Sequence, residues 1–349
     1  MERRPIKDSN SIPLISVVIP LYNGAQYICR SVQSVLEQNY TNFDLIVVDD
    51  GSTDGGGDIV REFTDPRLRQ VRQENAGVSA ARNRGITESR GAYIAFLDAD
   101  DKWDPEFLDT VVNLAVLYPQ AGIYGTGYRV VYQNGPVVEV TAEEAINQQE
   151  ALLITDYFYR ANGGSLIHAS GAMIPRHIFK ELGAFEVGEH YGEDLEMWAR
   201  IALRYPIGYD TRILFSFNQT GTANKIRFQT LPKYEPHVRM LQGVLNNTPD
   251  FPVNQKIIRA HIRNRYLKSC FWFISNYSRG TTLAFIKDNH AEVWAPLMNK
   301  MIKIPYLWPF MKLIVWIDRV IKSRLMMKIL GGKYVSHRVL MIVKMAKVE

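Results

Sequence analysis

The sequence predicts an α/β fold: a mixed, mainly parallel sheet flanked by helices, followed by a helical C-terminal region. Three observations carry this. Ile15-Ser16-Val17-Val18-Ile19-Pro20 and Leu45-Ile46-Val47-Val48 are short β-branched apolar runs, as expected of strands buried on both faces of a parallel sheet. Between them Ile28, Val32, Val35 and Leu36 recur at helical spacing within residues 25–38, giving a strand, helix, strand crossover. Further on, Asn134-Gly135 separates two strand-like runs, 128–132 and 137–140, and reads as a hairpin that adds antiparallel strands to the sheet.

The remaining elements follow in order. Residues 56–63 suit a helix, 68–71 a short strand, 78–87 a helix and 92–97 another buried strand. A helix is expected to begin at Asp104-Pro105 and another to run from Leu195 to Leu203. After about residue 234 the alternation stops, and 251–285 reads as helix with aromatic faces. This divides the chain into an N-terminal tail (1–13), a catalytic α/β domain (14–232) and a helical, basic C-terminal region (233–349).

Composition excludes a structureless chain: 46% of the 349 residues are hydrophobic and 22% charged. Cys29 and Cys270, far apart, offer neither a disulfide framework nor a CxxC metal site. Residues 1–11 are polar and lack the apolar core of a secretory signal, so the expected location is cytoplasmic, with peripheral contact at the inner face of the membrane as an extension. The net charge of +5 is uneven: residues 298–349 hold eleven Lys or Arg against Asp318 and Glu349, leaving the rest of the chain at about −4.

In open α/β sheets, ligands gather beyond the carboxyl ends of the strands. Four polar clusters occur there: Pro20-Leu21-Tyr22-Asn23, Asp49-Asp50-Gly51-Ser52, Asn75-Ala76-Gly77 and Asp98-Ala99-Asp100-Asp101. Any one of them is ordinary turn and capping chemistry. Four in succession on one rim are what a nucleotide site requires. Asp98, Asp100 and Asp101 concentrate negative charge that a cation would offset, and Mg2+ or Mn2+ takes such carboxylates together with substrate phosphates. Tyr22 can stack on a base or pack at the sheet edge, and Asp50 can accept from a base N–H. Arg82 can reach a diphosphate from its helix start or stand as a solvated helix charge. In Gly192-Glu193-Asp194-Leu195, the two acids suit a helix N-terminus, and Asp194 also suits a general base.

The combination resembles the family 2 glycosyltransferases of the GT-A fold. The matching motifs are residues 17–23, 47–54, Asn75-Ala76-Gly77 through Ala81-Arg82-Asn83, 96–101 and Glu193-Asp194, in order over roughly 14–225. The resemblance implies an inverting enzyme that uses a nucleotide-diphospho-sugar, with UDP favoured by family habit. It implies that Pro20, Tyr22 and Asp50 hold the base and ribose, that Asn75 and Arg82 line the donor pocket, and that Asp98 and Ala99 lie against the ribose or diphosphate. Asp100 binds the metal, Mn2+ or Mg2+, and Asp194 is the catalytic base with Glu193 in support. The implied acceptor is a glycan or lipid-linked saccharide, as in polysaccharide biosynthesis. One departure concerns the Tyr-Arg-x-His type segment of many relatives, which is Phe217-Asn218-Gln219-Thr220 here; Lys225 and Arg227 are the cations in reach by sequence. Two other readings remain open, a nucleotidyltransferase and a non-catalytic binding module at the membrane.

In the tail, Phe310, Leu313, Ile314, Ile317, Val320 and Ile321 fall on one side of a helical projection and Lys312, Asp318, Arg319 and Lys322 on the other. Its apolar run is too short for a membrane span. The helix suits an anionic membrane surface or packing on protein, and no nucleic-acid-binding module is recognisable.

Overall fold

A computed structural model describes residues 13–132, 137–162, 165–189, 191–219, 236–247, 254–276, 333–336 and 339–344. The expected α/β architecture is present. Strand β1 (Ile15–Leu21) is buried along its whole length, and helix α1 (Ala25–Leu36) packs Ile28, Val32 and Val35 inward before β2 (Phe43–Asp49) returns beside it. Helix α2 (Gly56–Arg61), β3 (Leu68–Arg72), α3 (Val78–Glu88) and β4 (Tyr93–Phe96) repeat the pattern. The order β3-β2-β1-β4 is parallel throughout, so all four carboxyl ends open on one rim.

After the aspartates, β5 (Lys102–Trp103) and α4 (Phe107–Leu117) follow; the helix begins two residues beyond Pro105, because Asp104 first accepts the Phe107 N–H through its carbonyl. The outer half of the sheet is largely antiparallel. Strands β6 (Ile123–Tyr132) and β7 (Val137–Ala142) pair as the expected hairpin, although Asn134 and Gly135 lie outside the described residues. Strands β8 (Ala151–Ile154) and β9 (Ala172–Pro175), with α5 (Tyr157–Arg160), α6 (Arg176–Leu182) and α7 (Glu193–Ala202), lead to β10 (Ile207–Gln219). Strand β9 runs antiparallel against both β4 and β6 and joins the two halves of the sheet.

Beyond the sheet domain, α8 (Pro236–Asn247) and α9 (Gln255–Asn276) are helical. The chain then returns two strands, β11 (Lys333–Ser336) and β12 (Val339–Lys344), and β12 pairs antiparallel with β7. These strands had no signal in a region that reads as helix throughout. The amphipathic segment 310–322, together with Lys225 and Arg227, lies outside the described residues. No described helix is long and apolar enough to cross a membrane.

Candidate functional site

The rim is built first by Asp50, the residue after β2. Buried, its Oδ1 accepts from Gln73 Nε2 at 2.7 Å and from the Ala76 N–H at 3.0 Å, and its Oδ2 accepts from the Gly77 N–H at 2.9 Å. One carboxylate thus shapes the loop that presents Asn75, whose side chain is exposed. Tyr22 is 55% exposed, so packing at the sheet edge does not account for it and its ring stands on the rim. Pro20, by contrast, is buried within β1.

The aspartate loop is held from three sides. Arg30 donates to the Asp100 carbonyl at 2.6 Å. Ser31 Oγ lies 2.6 Å from the Ala99 carbonyl and 2.7 Å from that of Asp101. From β10, Asn218 gives its backbone N–H to Asp101 Oδ1 at 2.9 Å and its Nδ2 to the Asp100 carbonyl at 2.6 Å. The residues that stand where many relatives carry Tyr-Arg-x-His therefore fasten the loop.

Asp101 is fully buried, and its Oδ2 accepts from Ser170 Oγ. That same hydroxyl oxygen accepts the Asp98 N–H at 3.1 Å. His168, two residues earlier, accepts the Ser170 N–H at Nδ1 and lies 4.0 Å from Asp101 Oδ2, with its ring 4.2 Å from that of Phe217. Gly171 is required at this turn, because a Cβ there would lie 2.1 Å from the Phe215 ring. Donor atoms of Asp98, Asp101 and His168 fall within 4.8 Å of one another, so the third member of the cluster comes from a segment that carried no interpretable spacing.

Arg82 is the centre of the site. It projects inward from α3, 2% exposed, rather than outward as a solvated charge. One terminal nitrogen donates to Asp98 Oδ1 and the other to Glu193 Oε1, each at 2.7 Å. It therefore ties the aspartate loop to the first turn of α7, where Gly192 adopts φ 78° and Asp194 follows Glu193. The guanidinium is committed to these two carboxylates. Its neighbour Asn83 donates to the Phe185 carbonyl at 2.8 Å and accepts the Phe185 N–H at 2.9 Å, pinning the chain that leads to the Gly192 turn.

The electrostatics follow from this packing. Burial works against ionisation of Asp98, but Arg82 and His168 outweigh it and hold its carboxyl below the usual range. Asp100 has no such partner: burial first, and the Asp98 charge second, push it up to about 6. Burial and the charges of Asp100 and Asp98 push Asp101 well above the ordinary carboxylate range. Glu193 is raised by burial and by Asp194, with Arg82 opposing. Three carboxylates in one loop with one guanidinium leave negative charge uncompensated, and hard oxygen donors beside an imidazole fit a divalent cation such as Mn2+ or Mg2+.

Residues 16–183 match the family model for glycosyl transferase family 2. The chain belongs to that family. Among its relatives, the uncharacterized glycosyltransferase RT0329 of Rickettsia typhi is 30% identical over 210 residues, 60% of this chain and 65% of the relative. Glycosyltransferase GlyG of Streptococcus pneumoniae is 31% identical over 198 residues, 53% of this chain and 64% of the relative. The chain thus spans less than two thirds of either. The crystal structure of S. aureus TarS 1-349 in complex with UDP-GlcNAc superposes with a TM-score of 0.65 over 96% of this chain and 97% of that one, at 16% identity. At that identity the likeness is one of fold, and it agrees with the GT-A type expected of the family 2 domain.

Proposed function

We propose that this chain moves a sugar from a nucleotide-diphosphate donor, a UDP-sugar, to a hydroxyl of a glycan or lipid-linked acceptor, in one displacement that inverts the anomeric carbon. The observation that carries the reading is the Arg82 bridge, which fastens the turn bearing Asp194 to the aspartate loop. In this reading Asp194 takes the proton of the acceptor hydroxyl as its oxygen attacks the anomeric carbon, and the nucleotide diphosphate leaves. Tyr22 and Pro20 receive the base on the rim, Asp50 orders the loop that presents Asn75, and Asp98 and Ala99 lie against the ribose and diphosphate. Arg82 is a positioning residue and Glu193 its support. Asp100, the carboxylate whose proton affinity is most raised by uncompensated charge nearby, holds Mn2+ or Mg2+ with Asp98 and His168. Such an ion, when bound, supplies positive charge to the departing diphosphate. That the TarS structures of similar fold contain UDP-GlcNAc and UDP supports the UDP reading. The basic tail, with its amphipathic sequence, suits contact with an anionic membrane surface at the inner face of the cell membrane.

The test is nucleotide diphosphate release from a panel of UDP-, GDP- and dTDP-sugars, with and without Mn2+, in wild type, Asp100→Asn and Asp194→Asn. Metal-dependent release from one donor, reduced at least about a hundredfold in Asp194→Asn, is expected for loss of a general base. Release of pyrophosphate from a nucleoside triphosphate, or a product that keeps the donor's anomeric configuration, overturns the reading.

A further inference from the structure

Helix α9 differs from every helix of the sheet domain in its charge. Its 22 residues include Lys256, Arg259, Arg263, Arg265 and Lys268 and no Asp or Glu. Two faces separate cleanly in its first half. Ile258 and His261 are buried, and Ile262 and Arg265 half-buried, on one side; Lys256, Arg259 and Arg263 are exposed on the other, at i, i+3 and i+7. The inner face is well anchored: His261 Nδ1 lies 3.2 Å from the Phe158 carbonyl and 3.0 Å from Asn162 Oδ1, both acceptors. The exposed face therefore has a fixed orientation on the molecule.

Its three cations meet no carboxylate within ion-pair distance among the described residues. Most arginines of the sheet domain do, exposed ones included: Arg61 pairs with Asp58, Arg84 with Glu88 and Arg204 with Glu181. A second observation connects this helix to the site. Tyr157 of α5 is buried and its phenol is pushed up, first by burial and then by the charge of Asp194, while Arg265 of α9 opposes the rise. One tyrosine thus lies within electrostatic reach of both Asp194 and the inner face of α9. Cations along about 14 Å of helix, from Lys256 to Arg265, run from the surface towards the residue proposed to take the acceptor's proton.

Resting on the transferase reading above, we infer that the Lys256-Arg259-Arg263 face of α9 binds the acceptor, and that the acceptor is a polyanion carrying repeated phosphate or carboxylate groups. Unpaired surface cations in fixed register complement a chain of charges whose hydroxyl enters beside Asp194. Charge of one sign at a site entrance also draws an oppositely charged substrate, an effect that salt screens. A neutral glycan has no use for this face.

The experiment uses the full chain and the triple variant Lys256→Gln/Arg259→Gln/Arg263→Gln. Fluorescein-labelled inorganic polyphosphate is titrated by anisotropy, and vesicles of equimolar phosphatidylcholine and phosphatidylglycerol by co-sedimentation. Donor hydrolysis without acceptor is measured in parallel. The expected result is polyphosphate affinity reduced about tenfold or more in the variant, from three exposed contacts, with vesicle binding and donor hydrolysis unchanged. Unchanged polyphosphate affinity overturns the inference, as does a matching loss of vesicle binding, which assigns the face to lipid. Absence of donor hydrolysis in both proteins sinks the transferase reading instead, so the two failures are distinct.

Discussion

The molecule places positive charge in two opposite ways. At the rim, the Arg82 guanidinium is buried and divided between Asp98 and Glu193; on α9, Lys256, Arg259 and Arg263 stand in solvent with no carboxylate at hand among the described residues. A buried cation with two hydrogen-bonded carboxylates is held by the protein and fixes geometry, and its loss leaves those charges stranded. An exposed cation adds little to folding. The contrast teaches that the first kind builds the site and the second is available to a ligand.

The sharpest way to break that contrast is Arg82→Met. It strands Asp98 and Glu193, and urea unfolding is expected to show a loss of about 3–5 kcal/mol together with loss of transfer. A loss below about 1 kcal/mol would make the bridge no stronger than a surface pair.

Next in size is Asp100→Asn in metal-free protein. Asp100 in the folded state binds its proton with a pKa of about 6, above the ordinary 3.8. Between these values the folded state holds more protons than the unfolded chain, so stability falls as pH rises, and above pH 6 the cost is fully present. The Asn variant lacks it. We expect that variant to be more stable than wild type by about 2 kcal/mol at neutral pH, with the gap closing as pH falls from 6 towards 4. Adding Mn2+ should stabilise wild type and leave the variant largely unmoved. A variant less stable than wild type at every pH would show that Asp100 is already compensated within the protein.

A smaller effect tests whether the rim's neutral ties matter as its charges do. Asn83→Ala removes both hydrogen bonds to Phe185 and is expected to cost about 1–2 kcal/mol in thermal or urea unfolding, with a larger proportional loss of kcat than of donor affinity if the Gly192 turn shifts. Smallest of all, the triple glutamine variant of α9 should unfold within about 0.5 kcal/mol of wild type. A stability loss well beyond that would mean these cations serve the fold.

The parallel half of the site was legible because its signals are local. Apolar runs buried on both faces mark β1, β2 and β4, and the polar residues that follow each strand necessarily share a rim. Asp98, Asp100, Arg82 and the Glu193-Asp194 pair all stand out in sequence, but the role of Arg82 did not, since nothing local reveals that its partners are Asp98 and Glu193, the latter 111 positions away. His168 gave no signal: β9 must first run antiparallel beside β4 to bring the His168–Gly171 turn against the aspartates. Asn218 was hidden for a similar reason, as one of its two ties to the loop is a backbone N–H, a group every non-proline residue has. The return of β12 to β7 is likewise a long-range pairing with no local periodicity to announce it.

The clamp of Asn218 on the aspartate loop has an evolutionary consequence. Because Asn218 is bonded to both Asp100 and Asp101, the chain has a fixed point of departure at Gln219, directly beside the reactive rim. Whatever sequence is spliced on after that point begins at the same place and heading, while the rim behind it stays as it was. Lineages can therefore exchange the downstream portion as a module and acquire new acceptors without rebuilding the donor half. The family model covers residues 16–183, consistent with inheritance of the donor half as a unit.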